Sequence, residues 1–178
     1  MKTNQVSESR EKTFLLVREQ IYDKSGFELT NLQIEKESRE YDASTFEIGR
    51  LKVIFRSAKI TPTKTGQFVT LWKRIADGPI QPYDVADDFD LVIVVVKKDD
   101  YLGQFVFPKS VLTKHHIISN NQKEGKRAIR VYPPWDIASN KQAQSTQKWQ
   151  LEYFLSADMA KSIDLGRARK LYFQNYSE

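Results

Sequence analysis

The chain has 178 residues, a net charge of +5 and a pI near 9.3, with 40% hydrophobic and 29% charged residues, two histidines and no cysteine. That length carries one hydrophobic core, so a single domain over residues 1–178 is expected, and the missing cysteines exclude disulfides, thiolate zinc sites and cysteine nucleophiles. The longest apolar run, Leu91 to Val96, is far short of the roughly 20 residues of a membrane-spanning helix, and the N-terminus lacks a signal-peptide pattern, so a cytoplasmic protein with no membrane partner is expected.

Residues 1–10 are polar and read as mobile. A helix is predicted from about Ser9 or Arg10, because Phe14, Val17, Ile21 and Tyr22 recur at three- and four-residue spacing, with Gly26 as its C-terminal stop. The following stretch to Phe46 is either a short helix or an irregular lead-in. Leu51 to Ile60 alternates as a half-buried strand, with Leu51, Val53 and Phe55 on one face and Lys52, Ile54 and Arg56 on the other.

A turn at "TPTKTG" precedes a second extended run, "QFVTLWKR", and Pro79 and Pro82 mark a loop. "DLVIVVVKK" is apolar on both parities and reads as a central strand covered on both faces. "YLGQFVFP" is the next strand, "KSVLTKHHII" a short helix and "NNQKEGK" a turn. "RAIRVYPPW" reads as the final strand. One or two helices close the chain, broken near Ser156 or Gly166. The order of elements predicts an α+β or mixed α/β protein, with a largely antiparallel central sheet flanked by N- and C-terminal helices.

Charge is segmented. From Leu51 to Ala76 stand Lys52, Arg56, Lys59, Lys64, Lys73 and Arg74 with no acid; Asp77 to Asp100 holds seven aspartates against Lys97 and Lys98; Tyr101 to Trp135 is basic again, with Glu124 its one acid. If the two basic segments are spatial neighbours they form a positive surface interrupted by carboxylates, the layout of a phosphate-binding site; otherwise these are solvated loop charges.

Gly-Gln-Phe-Val occurs twice, at Gly66 to Val69 and at Gly103 to Val106. The residues around the two copies do not come into register, which excludes a repeat architecture and leaves two strand entries of one type. Phosphate-binding glycine loops, metal-spaced histidine clusters and a nucleophile elbow are all missing from the sequence. The remaining catalytic arrangement is a carboxylate site for a divalent metal, with Asp90 as ligand and Gln104 and Lys109 as catalytic partners. A restriction-enzyme-type nuclease would carry Asp/Glu-x-Lys on the second strand, where this chain has Gln104-Phe105-Val106.

The strings "YDASTF", "KITPTKTGQFVTLWKR", "GPIQPYDVADDFD", "GQFVFPKSVL", "EGKRAIRVYPPWD" and "QSTQKWQLEYFL" together resemble the MepB family, over roughly Phe14 to Leu171. These are small bacterial proteins named from an operon that also encodes a transcriptional regulator and a multidrug efflux pump. The resemblance implies a sheet with flanking helices, near the restriction-endonuclease-like folds, and brings no catalytic residues with it.

The leading expectation is a nucleic-acid-binding protein with a nuclease-like fold, contacting nucleic acid through Lys59, Lys64, Gln67, Lys73, Arg74, Lys109, Arg127, Arg130 and Trp135. One alternative is an accessory of multidrug resistance that holds a small-molecule ligand or a protein partner in an aromatic pocket near Trp72, Trp135 and Trp149. Another is a divergent nuclease using Mg at Asp90.

Overall fold

The computed structural model describes residues 12–173, so the expected mobile start and the first turn of the first helix lie outside the described residues. Helix α1 occupies residues 12–25, with Arg18–Asp23 wound as a wider π-helix. It ends at Gly26 (φ 69°), whose N–H donates to the Asp23 carbonyl while the Phe27 N–H donates to that of Tyr22. This is the Schellman closure, and it needs a residue that accepts positive φ.

A six-stranded sheet follows: β1 (Leu29–Ile34), β2 (Ser44–Ile48), β3 (Leu51–Ser57), β8 (Leu91–Lys98), β9 (Tyr101–Pro108) and β11 (Phe154–Ser156), side by side in that order. Every neighbouring pair is antiparallel except β3 and β8. The central place of β8 follows from its composition. Leu91, Ile93 and Val95 face one core and Val92, Val94 and Val96 the other, all buried, and burying such aliphatic side chains favours folding by roughly 1.5–3 kcal/mol each.

The connection from β3 to β8 carries β4 (Lys59–Thr61), β5 (Lys64–Thr70), β6 (Trp72–Arg74) and β7 (Ile80–Pro82). With β10 (Ala128–Val131), β4 and β5 form a three-stranded sheet in the order β10-β5-β4, and β6 pairs with β7. On one face of the large sheet α1 and α4 (Leu165–Phe173) close a core of Val17, Ile21, Phe55, Ile93, Val106, Leu171 and their neighbours. On the other face Val69 of β5, Leu71 just beyond it, Leu112 of α2 (Lys109–Lys114), and Ile129 and Val131 of β10 pack on Ile54, Val94, Phe105 and Phe107. Helix α3 (Lys141–Leu151) is attached here through Trp149, and Asn140 caps its start by accepting from the Ala143 N–H.

Several expectations need correction. The stretch after Gly26 is two strands, β1 and β2, with only a short 3-10 turn at Arg39–Tyr41 between them; β1 is an edge strand exposed along most of its length, so it carries no apolar alternation. The second face of β3 is covered too, and Arg56 is fully buried rather than solvated. Ile80–Pro82 is a strand paired with β6, not a loop. Phe154–Ser156 adds an edge strand after Ala128–Val131, so the latter is not the last. The break between the closing helices lies around Ser156, while Gly166 sits inside α4.

The two Gly-Gln-Phe-Val copies lie inside strands of different sheets rather than at strand entries, each glycine being the third residue of its strand, and both glycines serve one packing need. Gly66 (φ 80°) lies under the ring of Tyr132, where a Cβ would come within 2.7 Å of two ring carbons, and Gly103 lies under the ring of Phe154. Each glycine leaves room for an aromatic ring from the paired strand or the residue just beyond it.

Candidate functional site

Pairing of β5 with β10 brings the two basic segments of the sequence together, Gln67 opposite Val131 and Thr70 opposite Ala128. Helix α3 stands across from this pair, and between them runs an open cleft of about 950 Å³. Its lining includes Lys64, Lys126 and Arg130, a set of serine, threonine, asparagine and glutamine side chains, and no aspartate or glutamate. The carboxylates of the acidic segment go elsewhere: Asp87 pairs with Lys73 and Asp88 with Lys52.

Arg130 is held in position without losing its charge. Its guanidinium donates to the Gly66 carbonyl at 3.1 Å and the Thr61 hydroxyl at 2.7 Å, and lies over the Phe68 ring at 5.9 Å. Neither Lys64, Lys126 nor Arg130 has a carboxylate partner among the described residues. Aromatic surface is supplied by Phe68, Tyr132 and a stacked pair, His115 on Trp149, with centroids 3.9 Å apart and planes 10° from parallel. Burial, and then the nearby Lys114, lower the His115 pKa from its ordinary 6.5, so the ring is neutral at pH 7.

The expected site residues distribute unevenly. Lys64 and Arg130 line the cleft. Lys73, Arg74 and Arg127 are paired with Asp87, Glu37 and Glu124. Lys59 lies over Tyr41 at 4.9 Å, and Gln67 is buried and donates to the Lys97 carbonyl. Trp135 stacks on Tyr101 and lines a second recess. Trp149 lines the cleft and Trp135 the second recess, Trp72 lines neither, and the three have different partners (His115, Tyr101 and Arg74). Lys126 and His115 are cleft residues that sequence reasoning did not place, while Trp149, expected in an aromatic pocket, lines the cleft; Lys126 was legible as part of the second basic segment, whereas the ring stack joins residues 34 positions apart.

The proposed metal site is not assembled. The Asp90 carboxylate accepts from the Lys52 backbone N–H at 2.8 Å, and the Lys109 amine is directed to the Asp87 carbonyl and over Phe89. Gln104 lies four residues from Pro108, the partner of Leu91, about 13 Å along the strand. It is sealed among the helices: its amide nitrogen donates to the Tyr172 hydroxyl at 2.6 Å and its oxygen accepts from Tyr22 at 3.3 Å. Among the described residues no three histidine, aspartate or glutamate side chains converge, and Asp90 and Gln104, the ligand and partner expected from sequence, are held in separate hydrogen-bonded places.

A buried ion pair braces the same face of the sheet. Both terminal nitrogens of Arg56 donate to Glu35, at 3.2 and 3.0 Å, and one also reaches the Tyr83 hydroxyl. Burial raises the Tyr83 pKa, with Arg56 opposing.

A family model described as MepB-like matches residues 35–156, the span from this ion pair to the end of β11. The chain belongs to the MepB-like family. A crystal structure of MepB is 38% identical, with a TM-score of 0.70 over 72% of this chain and 86% of that one. A bacterial homing endonuclease, I-Ssp6803I, aligns at 16% identity with a TM-score of 0.42, over 79% of this chain and 86% of its own; a likeness of that size carries no argument about mechanism. No curated protein matches. No helix among the described residues of this MepB-like chain is long and apolar enough to cross a membrane.

Proposed function

We propose that this protein binds nucleic acid, and that the cleft between α3 and the β5–β10 pair is where it does so. One observation carries the reading: Lys64, Lys126 and Arg130 line a recess that has no carboxylate in its lining. Unpaired cations beside aromatic rings are what a phosphate chain with attached bases requires. The reading stops at binding, because among the described residues no three carboxylate or histidine side chains converge and the Asp90 carboxylate accepts from the Lys52 backbone N–H. The same reading makes the protein a single folded domain of the cytoplasm. A small hydrophobic cation, the ligand of the drug-resistance alternative, is disfavoured by a cleft whose charged side chains are all positive.

The test is fluorescence anisotropy of labelled DNA and RNA, each as single strand and duplex, across a salt series with Mg²⁺ present and the same samples run on a gel. The expected result is binding that weakens steeply with salt and leaves the strands intact. Cut strands would replace this reading with that of a nuclease, and no binding even at low salt would end it.

A further inference from the structure

The β4–β5 hairpin separates the basic cleft from a second recess of about 430 Å³, and its Thr63, Lys64 and Thr65 line both. The two recesses differ in chemistry. Beyond the hairpin the walls are Ile60, Pro62, Trp135 and Ile137, and the carboxylate there, Asp136, is held 3.6 Å from the Lys98 amine. Ile60 and Ile137 are 58% and 86% exposed, a large apolar area to leave beside an uncompensated lysine.

We propose, resting on the reading above, that the occupant is single-stranded nucleic acid crossing the hairpin at Lys64, its phosphates on Lys64, Lys126 and Arg130 and its bases against rings in the basic cleft and isoleucines in the second. A duplex hides its base faces within the stack, so it offers phosphates to the lysines and nothing to Phe68, Trp149, Ile60 or Ile137. A single strand offers both charge and base faces at each step; stacking of bases on aromatic rings adds to affinity without depending on sequence, and base faces laid on exposed isoleucines remove apolar surface from water. The two recesses share a wall, so one strand can follow both.

The experiment compares a labelled single strand of about a dozen nucleotides, as DNA and as RNA, with the matching duplex, on the full chain and on Ile60→Ser and Ile137→Ser. Both isoleucines are exposed, so these changes leave the core untouched. At least one single strand is expected to bind about tenfold or more tightly than its duplex. Each substitution is expected to weaken single-strand binding several-fold while leaving its salt slope unchanged, since it removes apolar contact and no charge. Equal affinity for duplex, with neither substitution having an effect, overturns this inference and leaves nucleic-acid binding standing; no binding of any form overturns both.

Discussion

On the face of the large sheet covered by α1 and α4, three buried polar groups are neutral and bonded to one another: Gln104, Tyr22 and Tyr172. On the opposite face Arg56 is buried as an ion, paired with Glu35, while the Arg56 Nε and the Gln67 side-chain oxygen have no hydrogen-bond partner among the described residues. The contrast is sharpest between the two glutamines, which follow the same glycine in the same tetrapeptide. Gln104 has both ends of its amide bonded; Gln67 has one, to the Lys97 carbonyl at 3.3 Å. A fully satisfied network fixes a unique packing. The helix-covered face thus holds the fold together, and the looser, charged face carries the cleft.

Breaking the ion pair should show the largest effect. Glu35→Ala leaves Arg56 buried without a counter-charge, a change worth roughly 3–5 kcal/mol, toward the lower end because Glu35 keeps 28% exposure. Urea unfolding measures it, and a loss below about 1 kcal/mol would make the pair equivalent to a surface one. Gln104→Ala should follow, at about 2–3 kcal/mol, since it opens a cavity and strips partners from two buried hydroxyls. Gln67→Met should cost less than about 1 kcal/mol, because only one hydrogen bond is lost and an unpartnered oxygen goes with it. Equal losses for the two glutamines would erase the contrast between the faces.

Alkali probes the sealed face alone. Burial raises the pKa of both Tyr22 and Tyr172 above the ordinary 10. Their contribution to stability is therefore full below about pH 10 and is lost as pH climbs toward the folded-state values. The thermal midpoint should fall between about pH 10 and 12, and less so in Tyr22→Phe; an unchanged midpoint would contradict the burial of these hydroxyls.

The smallest expected effect lies in the cleft. His115 has a lowered pKa, so it is neutral at pH 7 and becomes a fourth cation only below its ordinary range. Lys114 and His116 oppose that charge and Glu152 favours it, with Lys64, Lys126 and Arg130 across the cleft. Nucleic-acid affinity should rise a few-fold as pH drops from about 7.5 to 5.5, and the rise should shrink in His115→Ala. An identical rise in the variant would contradict the role of His115.

Much of the scaffold was legible in the sequence, because hydrophobic pattern carries it. The two-sided apolar run of β8, the glycine stop of α1 and the strand ending at Pro108 all reflect local chemistry. β1 was not legible, since an exposed edge strand buries too little to leave a period. Arg56 was misplaced for a related reason: its burial depends on Glu35, 21 residues away and across β2. The site was half legible. The alternation of charge announced that two basic segments could converge, and β5–β10 pairing brings them together. Which lysines stay unpaired was not readable, because it depends on where Asp87, Glu37 and Glu124 fall in space.

The most direct measurement is the salt dependence of nucleic-acid affinity for the wild type and for Lys64→Gln and Lys126→Gln, two exposed residues with no ion-pair partner among the described residues. The account predicts weaker binding in both variants, with the slope of log affinity against log salt shallower by about one unit for each charge removed, and unchanged unfolding curves. Wild-type slopes in both variants would contradict the placement of the phosphates in this cleft.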